Sequence, residues 1–187
     1  MSHARPFFIL NNRGLTLIEL IISLTTLTIL IALATPSMLT LMLRSEQTTA
    51  VNGFLSHFYL ARSLAIQKEQ HLVICPSEDG ESCMDSGIWS RGLMVFEDIE
   101  RDGLLDANEP IHGKYILPEA SKIAIYSSQY RKKVIYHGDG RPSGYNLTLT
   151  FCDPDDRIEP KALIVNNVGR IRISDHGPGG SSLECGY

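Results

Sequence analysis

Residues 13–43 begin Arg13-Gly14-Leu15-Thr16-Leu17-Ile18-Glu19-Leu20 and continue IISLTTLTILIALATPSMLTLML, an apolar block whose only charge after Arg13 is Glu19. Ahead of it, residues 1–14 carry Arg5 and Arg13 and no acid. About 20 apolar residues cross a bilayer, so the block is long enough to span one. A secretory signal would place its cationic region before Leu15 and be cut after Ala34, where Ala32-Leu33-Ala34 fits the small-x-small rule. Neither that reading nor a plain signal anchor accounts for Glu19. A carboxylate inside such a segment costs about 2.5–3.5 kcal/mol even on the mildest insertion scale, which makes an intramembrane acid a functional residue by default.

Arg13-Gly14 followed by Leu15-Thr16-Leu17-Ile18-Glu19-Leu20 resembles the class III leader of type IV prepilins and type II secretion pseudopilins. The resemblance implies that a prepilin peptidase of the inner membrane cuts after Gly14 and methylates the new amino terminus, Leu15. Glu19 then stands at the fifth mature position, where the family carries a glutamate that pairs with the charged amino group of a neighbouring subunit. Other pilins or pseudopilins in a filament are thus the implied partners. The physics agrees, because a buried carboxylate is tolerated when a cation meets it and methylation leaves an amine charged. Leu15 departs from the phenylalanine usual at the first mature position. Pro36 stands where pilin helices are commonly kinked.

Beyond Pro36, Leu39, Met42, Leu43, Ala50, Phe54, Leu55, Phe58, Leu60, Ala61, Leu64 and Ala65 recur at three- and four-residue steps. Arg44, Glu46, Gln47, Asn52 and Arg62 occupy the remaining face, which predicts one amphipathic helix from Leu15 to about Gln67. From His71 the texture changes to short runs bounded by Gly, Pro, Asn and Asp. Strands are expected at 72–74, 88–96, 111–117, 122–126, 133–136, 145–151, 161–165 and 168–173, with a tight turn at Asn166-Asn167. The fold class is therefore α+β, a long N-terminal helix packed on a C-terminal antiparallel β-sheet domain, pilin-like in layout. The expected division is a leader at 1–14, a transmembrane or filament-core helix at 15–43, and a globular domain at 44–187. The resemblance implies a single-pass inner-membrane protein with that domain in the periplasm, reaching the cell surface after pilus assembly.

Cys75, Cys83, Cys152 and Cys185 show no C-x2-C spacing, so no metal site is expected. Outside the cytoplasm four cysteines should form disulfides, and of the three possible pairings 75–83 with 152–185 is favoured over the others and over four free thiols. Asp98-x-Glu100-x-Asp102-Gly103-x5-Glu109 follows the order of a calcium-binding loop, with Leu105 at its apolar position. Glu100 departs from the pattern and Val95-Phe96 reads as strand, so a solvated hairpin turn is the favoured reading. There is no G-x-S-x-G, no H-E-x-x-H and no phosphate loop, and the six histidines do not cluster. No catalytic residue and no cofactor is expected, and the chain does not read as an enzyme.

Net charge is −4, from 17 basic and 21 acidic side chains, so the whole chain is no basic nucleic-acid binder and an anion site must be local. Residues 44–130 hold 7 basic and 13 acidic residues, and 131–187 hold 8 and 7. Positive potential therefore concentrates near the C-terminus, at Arg131-Lys132-Lys133, Arg141, Lys161 and Gly169-Arg170-Ile171-Arg172. Alternate residues of a strand share a face, which sets Arg170 and Arg172 roughly 6.5–7 Å apart, on the order of two nucleotide rises along one DNA strand. An arginine fork suits phosphate, and Gly169 would let a backbone come close. Gly-Arg-x-Arg near the end of a prepilin-like chain resembles the FimT/GspH group, within it the FimT-type minor pilins of DNA capture in natural transformation. That resemblance implies sequence-independent contact with the DNA phosphate backbone by Arg170 and Arg172, with Lys132, Lys133, Arg141 and Lys161 as weaker contacts. The alternative is a structural minor pilin or H-type pseudopilin that primes or caps a filament and touches no nucleic acid.

Overall fold

The structure is a computed structural model that describes residues 14–127, 131–144 and 146–186. The expected leader up to Arg13 and Tyr145 fall outside the described residues, as does the side chain of Pro36, where a kink was expected. Helix α1 runs Leu17–Lys68. It starts on a reciprocal cap, in which the Glu19 backbone N–H donates to Thr16 Oγ1 (3.3 Å) and the Thr16 N–H reaches back to Glu19 Oε2 (3.5 Å). Residues up to Leu39 form one unit, and its described side chains from Leu15 onward are exposed. This part of α1 includes a stretch long and apolar enough to cross a membrane. Several of its hydroxyls are satisfied internally: Ser23 donates to the Leu20 carbonyl, Thr25 to Ile22 and Thr28 to Thr25, at 2.8–2.9 Å. Such back-bonding lets Ser and Thr sit in an apolar helix without unpaired donors.

The second unit, Thr40–Tyr187, holds the core. Leu43, Gln47, Ala50, Val51, Phe54, Phe58, Ala61 and Ala65 form the buried stripe of α1. Glu69, at φ 54°, takes the left-handed conformation that ends the helix. Eight strands follow among the described residues: β1 His71–Pro76, β2 Gly92–Asp98, β3 Ile111–Ile116, β4 Ala124–Tyr126, β5 Val134–Tyr136, β6 Leu147–Cys152, β7 Lys161–Val165 and β8 Ile171–Ser174. They make two antiparallel sheets, in the orders β3-β2-β1-β5 and β4-β6-β7-β8. Phe54 meets Tyr115 of the first sheet and Phe151 of the second edge-on, with ring centroids at 5.9 and 5.3 Å. Gln47, buried on the same stripe, donates through Nε2 to the carbonyls of Phe151 (3.0 Å) and Glu159 (2.9 Å). Gly53 leaves room for the Tyr115 ring, since a Cβ there would lie 2.3 Å from it.

Strand β2 is buried along its whole length. Leu93 and Val95 join the core under α1, while Met94 and Phe96 pack with Val73 and Cys75 on the opposite face. That second face is covered by the 99–110 connection, whose Leu105 packs onto it. Glu100, Asp102 and Asp106 of this connection are exposed, whereas the acids at its two ends, Asp98 and Glu109, are turned inward. Asp98, fully buried, accepts from the N–H groups of Asp102 (3.1 Å) and Gly103 (3.0 Å), and Glu109 accepts from Ile99 (2.7 Å) and Asp106 (3.1 Å). Among the described residues no group of three or more metal-ligating side chains converges. Disulfides join Cys75 to Cys83 and Cys152 to Cys185, the second tying the glycine-rich tail to the end of β6.

Two carboxylates hold element ends in place. Glu97 Oε2 accepts from Lys68 Nζ (2.6 Å) and His112 Nε2 (2.9 Å), and the Lys68 hydrogen bond is the main cause of its lowered pKa. Asp153 is gripped by both ends of the Arg157 guanidinium at 2.6 and 2.7 Å, which lowers its pKa likewise. A carboxyl whose folded pKa lies below its unfolded value stabilises the fold above the unfolded value, about pH 4. That contribution is lost as the pH falls through the folded value. Asp153→Asn should therefore flatten the decline of Tm between about pH 5 and pH 3. A variant with the acid profile of the parent chain would refute the linkage.

Candidate nucleic-acid interface

The β7–β8 hairpin carries Arg170 and Arg172. Its turn is built by Asn166, whose Oδ1 accepts from the N–H groups of Val168 (3.2 Å) and Arg170 (2.8 Å), while Gly169 N–H donates to the Asn166 carbonyl (2.9 Å). Asn146 supports it from β6's approach, accepting from the Asn167 N–H at 2.9 Å. Because Asn166 captures these amides and Gly169 adopts φ 81°, the strand expected from Val168 begins only at Ile171. Arg170 thus precedes the strand instead of lying within it. Arg170 and Arg172 are both exposed and flank the buried Ile171. Among the described residues neither guanidinium has a hydrogen bond or ion pair.

The other expected cations are differently placed. Lys132 pairs with Asp85 (2.9 Å), and Lys133 donates to the Gly103 carbonyl. Both line a cavity beside Cys83 on the first sheet's side of the molecule. Lys161 begins β7, 3.8 Å from Asp175, next to Arg44 and Glu159. Since Arg172 pairs with Ile164, three residues along, Lys161 is about 10 Å down the hairpin from it. Arg141 is exposed and only loosely held by Asp139 at 3.4 Å. Its turn does reach the hairpin, because a Cβ on Gly169 would lie 2.3 Å from the Gly140 carbonyl oxygen. The backbone that comes close to Gly169 is therefore the protein's own.

Arg62 of α1 completes this junction. Its Nε donates to the Gly140 carbonyl (3.1 Å) and its guanidinium extends to the Val168 carbonyl (3.5 Å). Beneath it lies Tyr136, whose hydroxyl pKa burial raises strongly while the nearby Arg62 charge opposes the shift. Sequence reasoning assigned Arg62 only to the solvated helix face. Its signal was its place next to Ala61 in a stripe that includes Phe58 and Ala65, which puts it at the stripe's border. Of the expected N-terminal site, Gly14, Leu15 and Glu19 are exposed, with Glu19 engaged only in the cap of its own helix.

A long helix packed on antiparallel strands is the layout that comparison with known proteins also returns. The family described as "Type II transport protein GspH" matches residues 50–169. The chain belongs to this GspH family. Arg170 and Arg172 lie just past the matched stretch. Two crystal forms of the type IV minor pilin FimU of Pseudomonas aeruginosa are similar to this GspH-family chain in fold. One has a TM-score of 0.53 at 18% identity, covering 70% of this chain and 90% of that one. The other has a TM-score of 0.52 at 15% identity, covering 68% and 91%. The minor pseudopilin EpsH of the Vibrio cholerae type 2 secretion system aligns with a TM-score of 0.47 at 16% identity, over 72% of this chain and 98% of its own. No curated protein shows significant sequence similarity to the chain.

Gly169 is the position on which the turn depends. Its left-handed φ and the 2.3 Å approach to Gly140 leave no place for a side chain. Gly169→Ala should cost about 1–3 kcal/mol in chemical denaturation of the detergent-solubilised chain. Stability equal to that of the parent would overturn this account of the turn.

Proposed function

We propose that this GspH-family chain is a minor type IV pilin that enters a pilus and holds DNA through Arg170 and Arg172 during natural transformation. The observation that carries the reading is the pair of exposed arginines with no carboxylate partner among the described residues, on a chain that is acidic overall. Arginine donates two hydrogen bonds to a phosphate, and contacts to phosphate carry no sequence information, so the binding is indifferent to base order. Arg141, Lys132, Lys133 and Lys161 are weaker contacts, because each already has a partner in the protein.

In this reading a prepilin peptidase removes residues 1–14 after Gly14 and methylates Leu15. Residues 15–43 then hold the subunit in the inner membrane and later in the filament core. Residues 44–187 form the periplasmic domain, exposed on the pilus after assembly. Glu19 exchanges its cap on Thr16 for the amino terminus of a neighbouring pilin. The description of the matched family as a type II transport protein favours a second reading, an H-type pseudopilin that primes or caps a secretion filament without DNA. Neither reading requires chemistry of the chain's own.

Processing and binding are tested separately. Gly14→Glu should leave the full-length precursor in the membrane, and Glu19→Ala should be processed yet assemble poorly. A mature start at Thr35, read by mass spectrometry, would overturn the leader assignment in favour of a secretory signal. For binding, the full chain in non-ionic detergent should hold duplex DNA with an affinity that falls steeply with salt. Replacing Arg170 and Arg172 together with Gln should flatten the plot of log K against log salt by roughly 1.8, two phosphates' worth. Parent-like DNA binding by that double variant would remove the site, and no binding by the parent chain at low salt would favour the pseudopilin.

A further inference from the structure

The two turns that carry the exposed arginines belong to different sheets. The 137–143 turn follows β5 at the edge of the first sheet, and the 166–170 turn joins β7 to β8 in the second. Strand pairing does not couple them, because the order β3-β2-β1-β5 contains no strand of the order β4-β6-β7-β8. What joins them is a close backbone approach and one side chain. Gly140 and Gly169 both take left-handed conformations, at φ 76° and 81°, and a Cβ on either would crowd α1 or the opposite turn. Arg62, half-buried on α1, donates to the Gly140 carbonyl on one turn and points to the Val168 carbonyl on the other.

The geometry points to Arg62 as a positioning residue that clamps the Arg141 turn and the Arg170–Arg172 hairpin into one DNA-binding surface. The inference rests on the DNA reading above and deepens it. A guanidinium suits the task because its planar fork offers five N–H donors in fixed directions, so it can serve carbonyls on two separate segments at once. An ammonium of the same charge is a compact point with no such reach. Among the described residues no carboxylate pairs with Arg62, so its charge is kept at the junction and adds to the potential of the arginines it positions.

The test is a double-mutant cycle on the full chain in non-ionic detergent, with Arg62→Lys, Arg141→Gln and the pair, read by fluorescence anisotropy on a short random-sequence duplex. Arg62→Lys keeps the charge and should still weaken binding about three- to tenfold, the range that one or two hydrogen bonds carry. Arg141→Gln should cost less affinity in the Arg62→Lys background than alone, because its turn is already released. Hydrogen exchange supplies a readout independent of DNA, and the amides of both turns, 138–141 and 168–170, should exchange faster together in Arg62→Lys. Parent-like affinity of Arg62→Lys, or strictly additive effects in the cycle, would overturn the inference. If the unsubstituted chain binds no DNA, the DNA reading fails on that result alone. The clamp is then decided by exchange, and unchanged exchange in either turn overturns it.

Discussion

Two sheets that share no strand are held by one apolar stripe, and Phe54 is the point at which they meet. Its ring touches Tyr115 on β3, Phe151 on β6 and Trp89 ahead of β2. A large fully buried aromatic contributes several kcal/mol through packing. Here the contribution also has direction, since removing the ring would loosen both sheets from the same helix. Gln47, two turns earlier, adds a polar key that a purely apolar stripe lacks. Its amide nitrogen satisfies carbonyls at Phe151 and Glu159, so the second sheet has one seat along α1. Everything at the sheet ends, including the meeting of Gly140 with Gly169, depends on that shared seating.

Much of this was legible in the residues. The three- and four-residue spacing placed Leu43, Ala50, Phe54, Phe58, Ala61 and Ala65 on the buried face of α1, but it also put the exposed Leu39, Met42 and Leu60 there and set the buried Gln47 on the solvated face. Alternation with turn residues located eight strands. The helix ended near Gln67, as its periodicity required, because Glu69 turns left-handed and His71 begins β1. What could not be read was which strands pair. Local pattern reports the face a strand buries but not its neighbour, so the division of the strands between two sheets has no trace in it. The start of β8 was also misjudged, for a specific reason. Val168-Gly169-Arg170 has strand-like composition, but the Asn166 side chain competes for the amides a strand would need.

The cations show the same limit more sharply. Lys132, Lys133, Lys161, Arg170 and Arg172 look alike in sequence, and only partners separate them. Asp85 is 47 residues from Lys132, and the Gly103 carbonyl is 30 residues from Lys133. Such pairings are set by tertiary packing, and spacing along the chain carries no trace of them. Arg62 was overlooked because a helical arginine at the edge of an apolar stripe is usually a solvated charge with its stem on the core. Its two carbonyl partners lie 78 and 106 residues away.

Charge balance takes on a different meaning once the acids are located. Asp98, Glu109 and Asp153 are buried or nearly so, and each is engaged by backbone amides or by Arg157. Asp79 is exposed but collects the amides of Glu81 and Ser82, which lower its pKa strongly. These carboxylates build turns. At physiological ionic strength the field of a surface charge decays over about 8 Å, so what an incoming phosphate meets is decided within one or two side-chain lengths. Within that range of the β7–β8 turn stand arginines whose guanidiniums have no carboxylate to answer them. An acidic chain can therefore present a local cationic surface where its arginines are left without a carboxylate partner among the described residues and where two turns from separate sheets are kept in register by the helix beneath them.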